Sequence, residues 1–79
     1  MTICEANFDP ETEEADLKTL FENFGTVNHV HIAFDSNDEP LGYAFIEMPL
    51  HGEASSAIEK LDGKRWNGRR LKVDEEQEQ

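Results

Sequence analysis

The chain has 79 residues, with seven lysines and arginines against eighteen aspartates and glutamates, for a formal net charge of -11. A chain of this length forms one small domain, and its single cysteine, Cys4, excludes an internal disulfide. No apolar run approaches the ~20 residues that cross a bilayer, and no basic-then-apolar leader follows Met1. We therefore expect a cytoplasmic protein that does not enter membranes.

The acidic balance disfavours nucleic acid as a partner, because most nucleic-acid binders are basic. The basic residues are nevertheless clustered, since five of the seven fall within one short stretch: Lys64, Arg65, Arg69, Arg70 and Lys72. Such a patch can contact phosphate even when the net charge is negative. The three histidines have neither partner cysteines nor helical ligand spacing, so we expect no metal ion and no other cofactor.

The first half of the chain predicts a strand, a helix and a second strand. The turn pair Asp9-Pro10 closes a strand over residues 2–8. A helix ending near Gly25 follows, with apolar residues at i, i+3, i+4 and i+7: Leu17, Leu20, Phe21 and Phe24. Residues 27–34 alternate like a half-buried strand, with Val30, Ile32 and Phe34 on one face and His29, His31 and Ala33 on the other.

The second half predicts the same order of elements again. After a polar loop, residues 41–48 form a strand whose inward side chains are Ala44, Ile46 and Met48. A second helix has the same apolar spacing as the first, at Ala54, Ala57, Ile58 and Leu61. The tight-turn dipeptide Asn67-Gly68 precedes a last strand over residues 69–74, where Leu71 and Val73 alternate with Arg70 and Lys72.

The order β-α-β-β-α-β predicts an α+β fold of the ferredoxin-like type. This fold is a sandwich in which a four-stranded antiparallel sheet carries two helices on one face and leaves the other face open. We expect the domain to span residues 1–74, followed by an acidic disordered tail over residues 75–79. Function is expected on the open face of the sheet.

Residues 41–48 contain two aromatic side chains, Tyr43 and Phe45, that alternation places on the open face. The segment fits an octapeptide signature: basic, Gly, Phe or Tyr, Gly or Ala, Phe, Val, any residue, Phe or Tyr. Four positions match it and Ile46 stands for Val, whereas Leu41 and Met48 depart. The chain therefore resembles the RNA recognition motif family. Its closing segment, residues 66–73, resembles that of compact bacterial members with a single domain.

The resemblance implies binding of single-stranded RNA, with bases stacking on the sheet aromatics. The implied binding residues are Cys4, His31, Tyr43, Phe45, Arg70 and Lys72. The family places an aromatic ring at the position of Cys4 and a basic residue at the position of Leu41, so we expect weak to moderate affinity. Single-stranded DNA could bind in the same way, and we expect a monomer.

Three alternatives remain open at this point. The two rings could be covered by a tail or a partner, and the basic residues could belong to a solvated edge strand. The domain could instead bind a peptide or protein through its acidic first helix and the loop Lys64-Arg65-Trp66, as a branch of the family in splicing factors does. An enzyme is not expected, because no Ser-His-Asp set, phosphate-cradling glycine loop or metal cluster is present.

Glu5 is out of place in the predicted first strand, because alternation puts it on the same side as the apolar Ile3. An unpaired carboxylate buried beneath the helices costs several kcal/mol. We therefore expect Glu5 to lie near the edge of the layer, in water or paired with a lysine or arginine.

Overall fold

The computed structural model describes residues 1–76. Its elements, in chain order, are β1 (Thr2–Ala6), α1 (Glu14–Glu22), β2 (His29–Phe34), β3 (Pro40–Glu47), α2 (His51–Leu61), β4 (Arg65–Trp66), β5 (Arg69–Arg70) and β6 (Lys72–Glu75). Strands β2, β3, β1 and β6 form one sheet in that order, and each neighbouring pair is antiparallel. The predicted ferredoxin-like fold is confirmed.

The core lies between this sheet and the two helices. α1 contributes Leu17 and Phe21, and α2 contributes Ala54, Ala57 and Leu61. The sheet contributes the alternating side chains that the sequence predicts as inward: Ile3, Ile32, Ala44, Ile46 and Val73. Both helices therefore pack on the same face, and the opposite face of the sheet carries no helix.

The predicted fourth strand is divided into two parts. Arg69 and Arg70 form β5, which pairs with β4 in a separate hairpin, and the fourth strand of the main sheet begins only at Lys72. The hairpin turns at Asn67 and Gly68, where φ is +50° and +82°. Two successive positive φ angles suit a tight hairpin turn, and the Asn-Gly dipeptide adopts them at low cost. The predicted turn is therefore present, although Arg70 lies outside the main sheet.

The end of β2 departs from the predicted alternation. Ile32 is opposite Ala44 and Phe34 is opposite Pro40, so β3 advances by four residues where β2 advances by two. Gly42, with φ at +92°, lies within this irregularity and adopts a conformation that side chains disfavour. At this end of β2, Phe34 is half exposed and Ala33 is buried, whereas the predicted alternation placed Phe34 on the same face as the buried Ile32 and Ala33 on the other face.

The last described residues continue the sheet beyond the predicted boundary at residue 74. β6 runs to Glu75, and the N–H of Glu76 donates a hydrogen bond to the carbonyl of Thr2 over 2.8 Å. The remainder of the predicted disordered tail, residues 77–79, lies outside the described residues. None of the helices in residues 1–76 has both the length and the apolar character needed to cross a membrane.

Candidate nucleic-acid interface

The helix-free surface of the sheet, called the open face below, is built by the alternate side chains of four strands. Cys4 is opposite Phe45, and Ala6 is opposite Tyr43, along the β1–β3 pair. The outer strands extend this surface, because His31 of β2 is also opposite Phe45 and Lys72 of β6 is opposite Ala6. The open face thus brings together five of the six predicted binding residues: Cys4, His31, Tyr43, Phe45 and Lys72.

The two rings of β3 are neighbours on the open face. Their centroids are 5.6 Å apart and their planes meet at 76°, which is an edge-to-face arrangement. Tyr43 is 36% exposed, and Phe45 is partly buried beside it. Because the rings are nearly perpendicular, one planar guest cannot stack on both. The pair therefore offers separate surfaces to two bases.

Cys4 occupies the centre of the open face as a small side chain. It is opposite Phe45 on one side and Asp74 on the other. Burial raises the pKa of the Cys4 thiol, and the nearby carboxylates of Glu76 and Asp74 raise it further. The thiol is therefore neutral at physiological pH and poorly suited to nucleophilic chemistry. It leaves space where a third ring would otherwise stand.

Arg70 is beside the open face and not on it. It belongs to the β4–β5 hairpin, which is fastened to the end of β1 because the side-chain amide of Asn7 donates a hydrogen bond to the Arg70 carbonyl over 2.8 Å. Four further hairpin residues or neighbours carry exposed polar or charged side chains: Lys64, Arg65, Asn67 and Arg69. Within residues 1–76 the one ion pair joins the terminal amine to Glu47. The lysine and arginine side chains of the hairpin therefore form no ion pair with a described carboxylate.

Charge divides the open face into two ends. Lys72 and the hairpin lie at the end where β1 finishes and β3 begins, next to Ala6 and Tyr43. Carboxylates lie towards the opposite end: Glu47 and Glu76 are next to Thr2, and Asp74 is beside Cys4 at the centre. Phosphate is attracted to the first end and repelled from the second, because unlike charges attract and like charges repel at short range. The sequence shows both groups of charges but not their separation to two ends of one surface.

Glu5 contradicts the prediction that it would lie at an edge. It is on the central strand β1, opposite Ala44 and Val73, with none of its surface exposed. Neither carboxylate oxygen has a hydrogen-bond partner. This burial raises the pKa of Glu5 to about 8, so the side chain is mainly protonated at neutral pH. Glu5 therefore faces the core and contributes no charge to the open face.

A second surface of interest lies between α1 and the hairpin. A shallow groove of about 410 Å³ there is lined by Asp16, Thr19, Leu20, Asn23, Trp66 and Asn67. Trp66 is half buried and packs against the core cluster. The peptide-binding alternative would require the Trp66 indole to contact a ligand, but here the indole packs partly against the protein's own core. In residues 1–76, no group of three or more metal-ligating side chains is placed to hold a metal ion.

The fold and the exposed rings define a class of protein, namely a ferredoxin-like sandwich with an aromatic platform on its open face. The model of the RNA recognition motif family matches residues 6–72. The chain belongs to this family.

Proteins that are similar in sequence or in structure agree with this family assignment. The chain is 39% identical over 74 residues to a protein of Nostoc sp. named "Putative RNA-binding protein RbpA", with 92% of this chain and 72% of that protein covered. It superposes on the crystal structure of RNA Binding Protein PG1 with a TM-score of 0.94, at 31% identity over 100% of this chain and 96% of that one. It also superposes on the Rna15 RRM with bound RNA, with a TM-score of 0.86, at 26% identity over 98% and 83% of the chains.

Proposed function

We propose that this protein binds single-stranded RNA on the open face of its sheet. Tyr43 and Phe45 stack on bases, Lys72 and Arg70 contact the backbone, and Cys4 and His31 complete the contact surface. One observation carries the proposal, namely that two aromatic rings stand on a helix-free surface next to basic side chains that no described carboxylate pairs with. The RNA bound to the similar Rna15 domain supports the same conclusion.

The expected affinity follows from the number of contacts. A micromolar dissociation constant corresponds to about -8 kcal/mol. Two base stacks contribute roughly 2 to 6 kcal/mol, so phosphate contacts at the basic end must supply the remainder. The acidic end opposes these contacts, and Cys4 removes one stack. We propose weak to moderate affinity with little sequence preference, and single-stranded DNA as a weaker alternative ligand because stacking does not depend on the 2′-hydroxyl.

The proposed role is that of a monomeric, non-catalytic binding module in the cytoplasm. A titration of labelled protein with single-stranded RNA octamers of mixed sequence, at low salt, tests the role by amide chemical shifts. We expect the largest shifts at Cys4, His31, Tyr43, Phe45 and Lys72. A matched RNA duplex is the control and should shift these amides much less. Shifts confined to α1 and Trp66, or no shifts with RNA, would overturn the proposal.

Affinity for RNA should fall as the salt concentration rises. Each phosphate contact on a single strand adds about -0.7 to the slope of log K against log salt, so two or three contacts predict roughly -1.5 to -2. Fluorescence anisotropy between about 50 and 200 mM salt measures this slope. Lys72→Gln should make the slope shallower by about 0.7. Lys18→Gln is the matched control, since Lys18 is also exposed but lies on α1, and its slope should equal that of the wild type.

A further inference from the structure

We propose that protonation of His29 and His31 strengthens RNA binding, so that the affinity of the open face rises as the pH falls from about 7.5 to about 5.5. This inference rests on the proposed function and concerns the regulation of the same surface. Histidine is the residue type whose charge changes between about pH 5 and pH 8. Two exposed histidines on a nucleic-acid interface therefore couple binding to pH in this range.

The register of the sheet places both histidines on the open face. Along the β2–β3 pair His31 is opposite Phe45 and His29 is opposite Glu47. Directly opposite residues of an antiparallel pair lie on the same face. Ile46, which lies between Phe45 and Glu47, is fully buried on the helix side. Both histidines are exposed, so they lie in water beside the aromatic pair.

The histidines occupy the side of the rings that lacks a permanent cation. Lys72 lies on β6 at the far edge of the sheet, and three strand spacings of about 14 Å separate β6 from β2. This separation exceeds the Debye length of about 8 Å at physiological salt, so Lys72 attracts a phosphate near β2 only weakly. Strand β2 itself contains no lysine or arginine. On the described part of the open face, a protonated histidine is therefore the group that can attract a phosphate beyond Phe45.

The groups that face the histidines from β3 give the two imidazoles different effects. Glu47 is opposite His29, and the hydroxyl of Tyr43 is on the residue diagonal to His31. The amine of Met1 is 3.8 Å from Glu47 Oε1, which is longer than a hydrogen bond, and Glu47 remains about half exposed. A proton on His29 offsets the repulsion of phosphate by this carboxylate, whereas a proton on His31 adds a cation beside the rings.

Helix α1 faces β2 from the other side of the sheet. Glu14 and Lys18 line a groove with His29 at the free edge of β2. Glu14 is engaged with that edge, because its Oε2 accepts a hydrogen bond from the N–H of Ile32 over 3.1 Å. Glu14 and Lys18 carry opposite charges, so α1 adds little net potential at His29. On β2 itself the titratable residues are the two histidines, and the pH response therefore arises on the open face.

Anisotropy titrations with an RNA octamer at low salt, at about pH 7.5 and about pH 5.5, test this inference. A unit charge at contact distance from a phosphate changes affinity about fivefold in water, so we expect wild-type affinity to rise roughly threefold to twentyfold at the lower pH. The salt slope should become steeper by about 0.7 for each histidine that contacts a phosphate. In contrast, His29→Gln with His31→Gln should bind within about twofold at the two pH values.

The third histidine supplies the matched control, His51→Gln. His51 is exposed but begins α2, on the other face of the sheet, so this variant should keep the full pH response. His29→Lys with His31→Lys carries the positive charges permanently. It should bind at about pH 7.5 at least as tightly as the wild type binds at about pH 5.5. Thermal unfolding at both pH values checks that each variant is folded.

The outcomes separate this inference from the proposed function. A pH response as large in the double glutamine variant as in the wild type would overturn the inference, and so would a double lysine variant that binds no better than the wild type at about pH 7.5. Tyr43→Ala is measured in parallel. If wild-type binding depends on Tyr43 but not on pH, the histidines have no such role and the proposed function stands. If RNA binds at neither pH, the proposed function fails as well.

Discussion

The variant Glu5→Val is expected to be more stable than the wild-type protein by roughly 3 to 5 kcal/mol at pH 9. Burial raises the pKa of Glu5 from 4.5 to about 8, and one pKa unit corresponds to 1.36 kcal/mol of free energy. The wild-type fold must therefore either hold a proton on Glu5 or bury an unpaired charge. Valine suits a central strand and requires no hydrogen-bond partner. A domain of this size has about 4 to 12 kcal/mol of stability, so the expected gain is large.

The stability difference should depend on pH in a defined way. Below about pH 4.5 the Glu5 carboxyl is protonated in the folded and unfolded chains alike, and its ionisation costs the fold nothing. Between pH 4.5 and 8 the unfolded chain releases this proton while the folded chain keeps it. Each pH unit in this window therefore lowers the free energy of unfolding by about 1.4 kcal/mol through this group. Above pH 8 the carboxyl is ionised in both states, and its cost stays constant.

Urea denaturation between pH 5 and pH 9 measures this effect when the wild type is compared with Glu5→Gln. Glutamine keeps the shape of the side chain but does not titrate, so the free energy of unfolding of Glu5→Gln relative to wild type should rise with pH and level off above pH 8. Glu59→Gln is the control, because Glu59 is exposed on α2. Its difference from the wild type should be nearly independent of pH. A Glu5→Gln difference equally flat would show that Glu5 is not buried without a partner.

Glu5 also shows why part of this structure could not be derived from sequence. Alternation predicts correctly that Glu5 shares the side of Ile3, and the fold and most of the inward side chains follow from the same rule. The prediction that Glu5 reaches an edge is wrong because β1 lies between β3 and β6. A central strand has no edge at which a short carboxylate can reach water. The cost of burial alone therefore did not predict the position of Glu5.

The candidate site was only partly predictable for a related reason. Tyr43 and Phe45 are two apart in a regular part of β3, so their common face follows from strand geometry. Arg70 lies where regular geometry ends, at an extra hairpin, and a register shift interrupts the pairing of β2 with β3 near the two rings. Local alternation does not reveal either irregularity. The glycine at position 42 and the Asn67-Gly68 dipeptide are the sequence signals that mark them, because both favour positive φ.

Replacing both rings, in Tyr43→Ala with Phe45→Ala, is expected to reduce RNA affinity by roughly 2 to 6 kcal/mol, or about 30-fold to more than 10,000-fold. The two rings take separate bases, because their planes meet at 76° and no single base can stack on both. Both rings lie on the open face, outside the core cluster, so the double variant should keep its fold. Anisotropy titration with RNA octamers at low salt measures the loss, and amide spectra check the fold.

The swapped variant, Tyr43→Phe with Phe45→Tyr, is the control for this experiment. It keeps two π surfaces at the same positions and moves only the hydroxyl group, so we expect its affinity to stay within about threefold of the wild type. A swap that weakens binding as much as the double alanine variant would assign the contact to the Tyr43 hydroxyl and not to the rings. A folded double alanine variant that retains wild-type affinity would place RNA elsewhere on the molecule. Stacking predicts neither result, because it requires a ring at each position and no particular substituent on it.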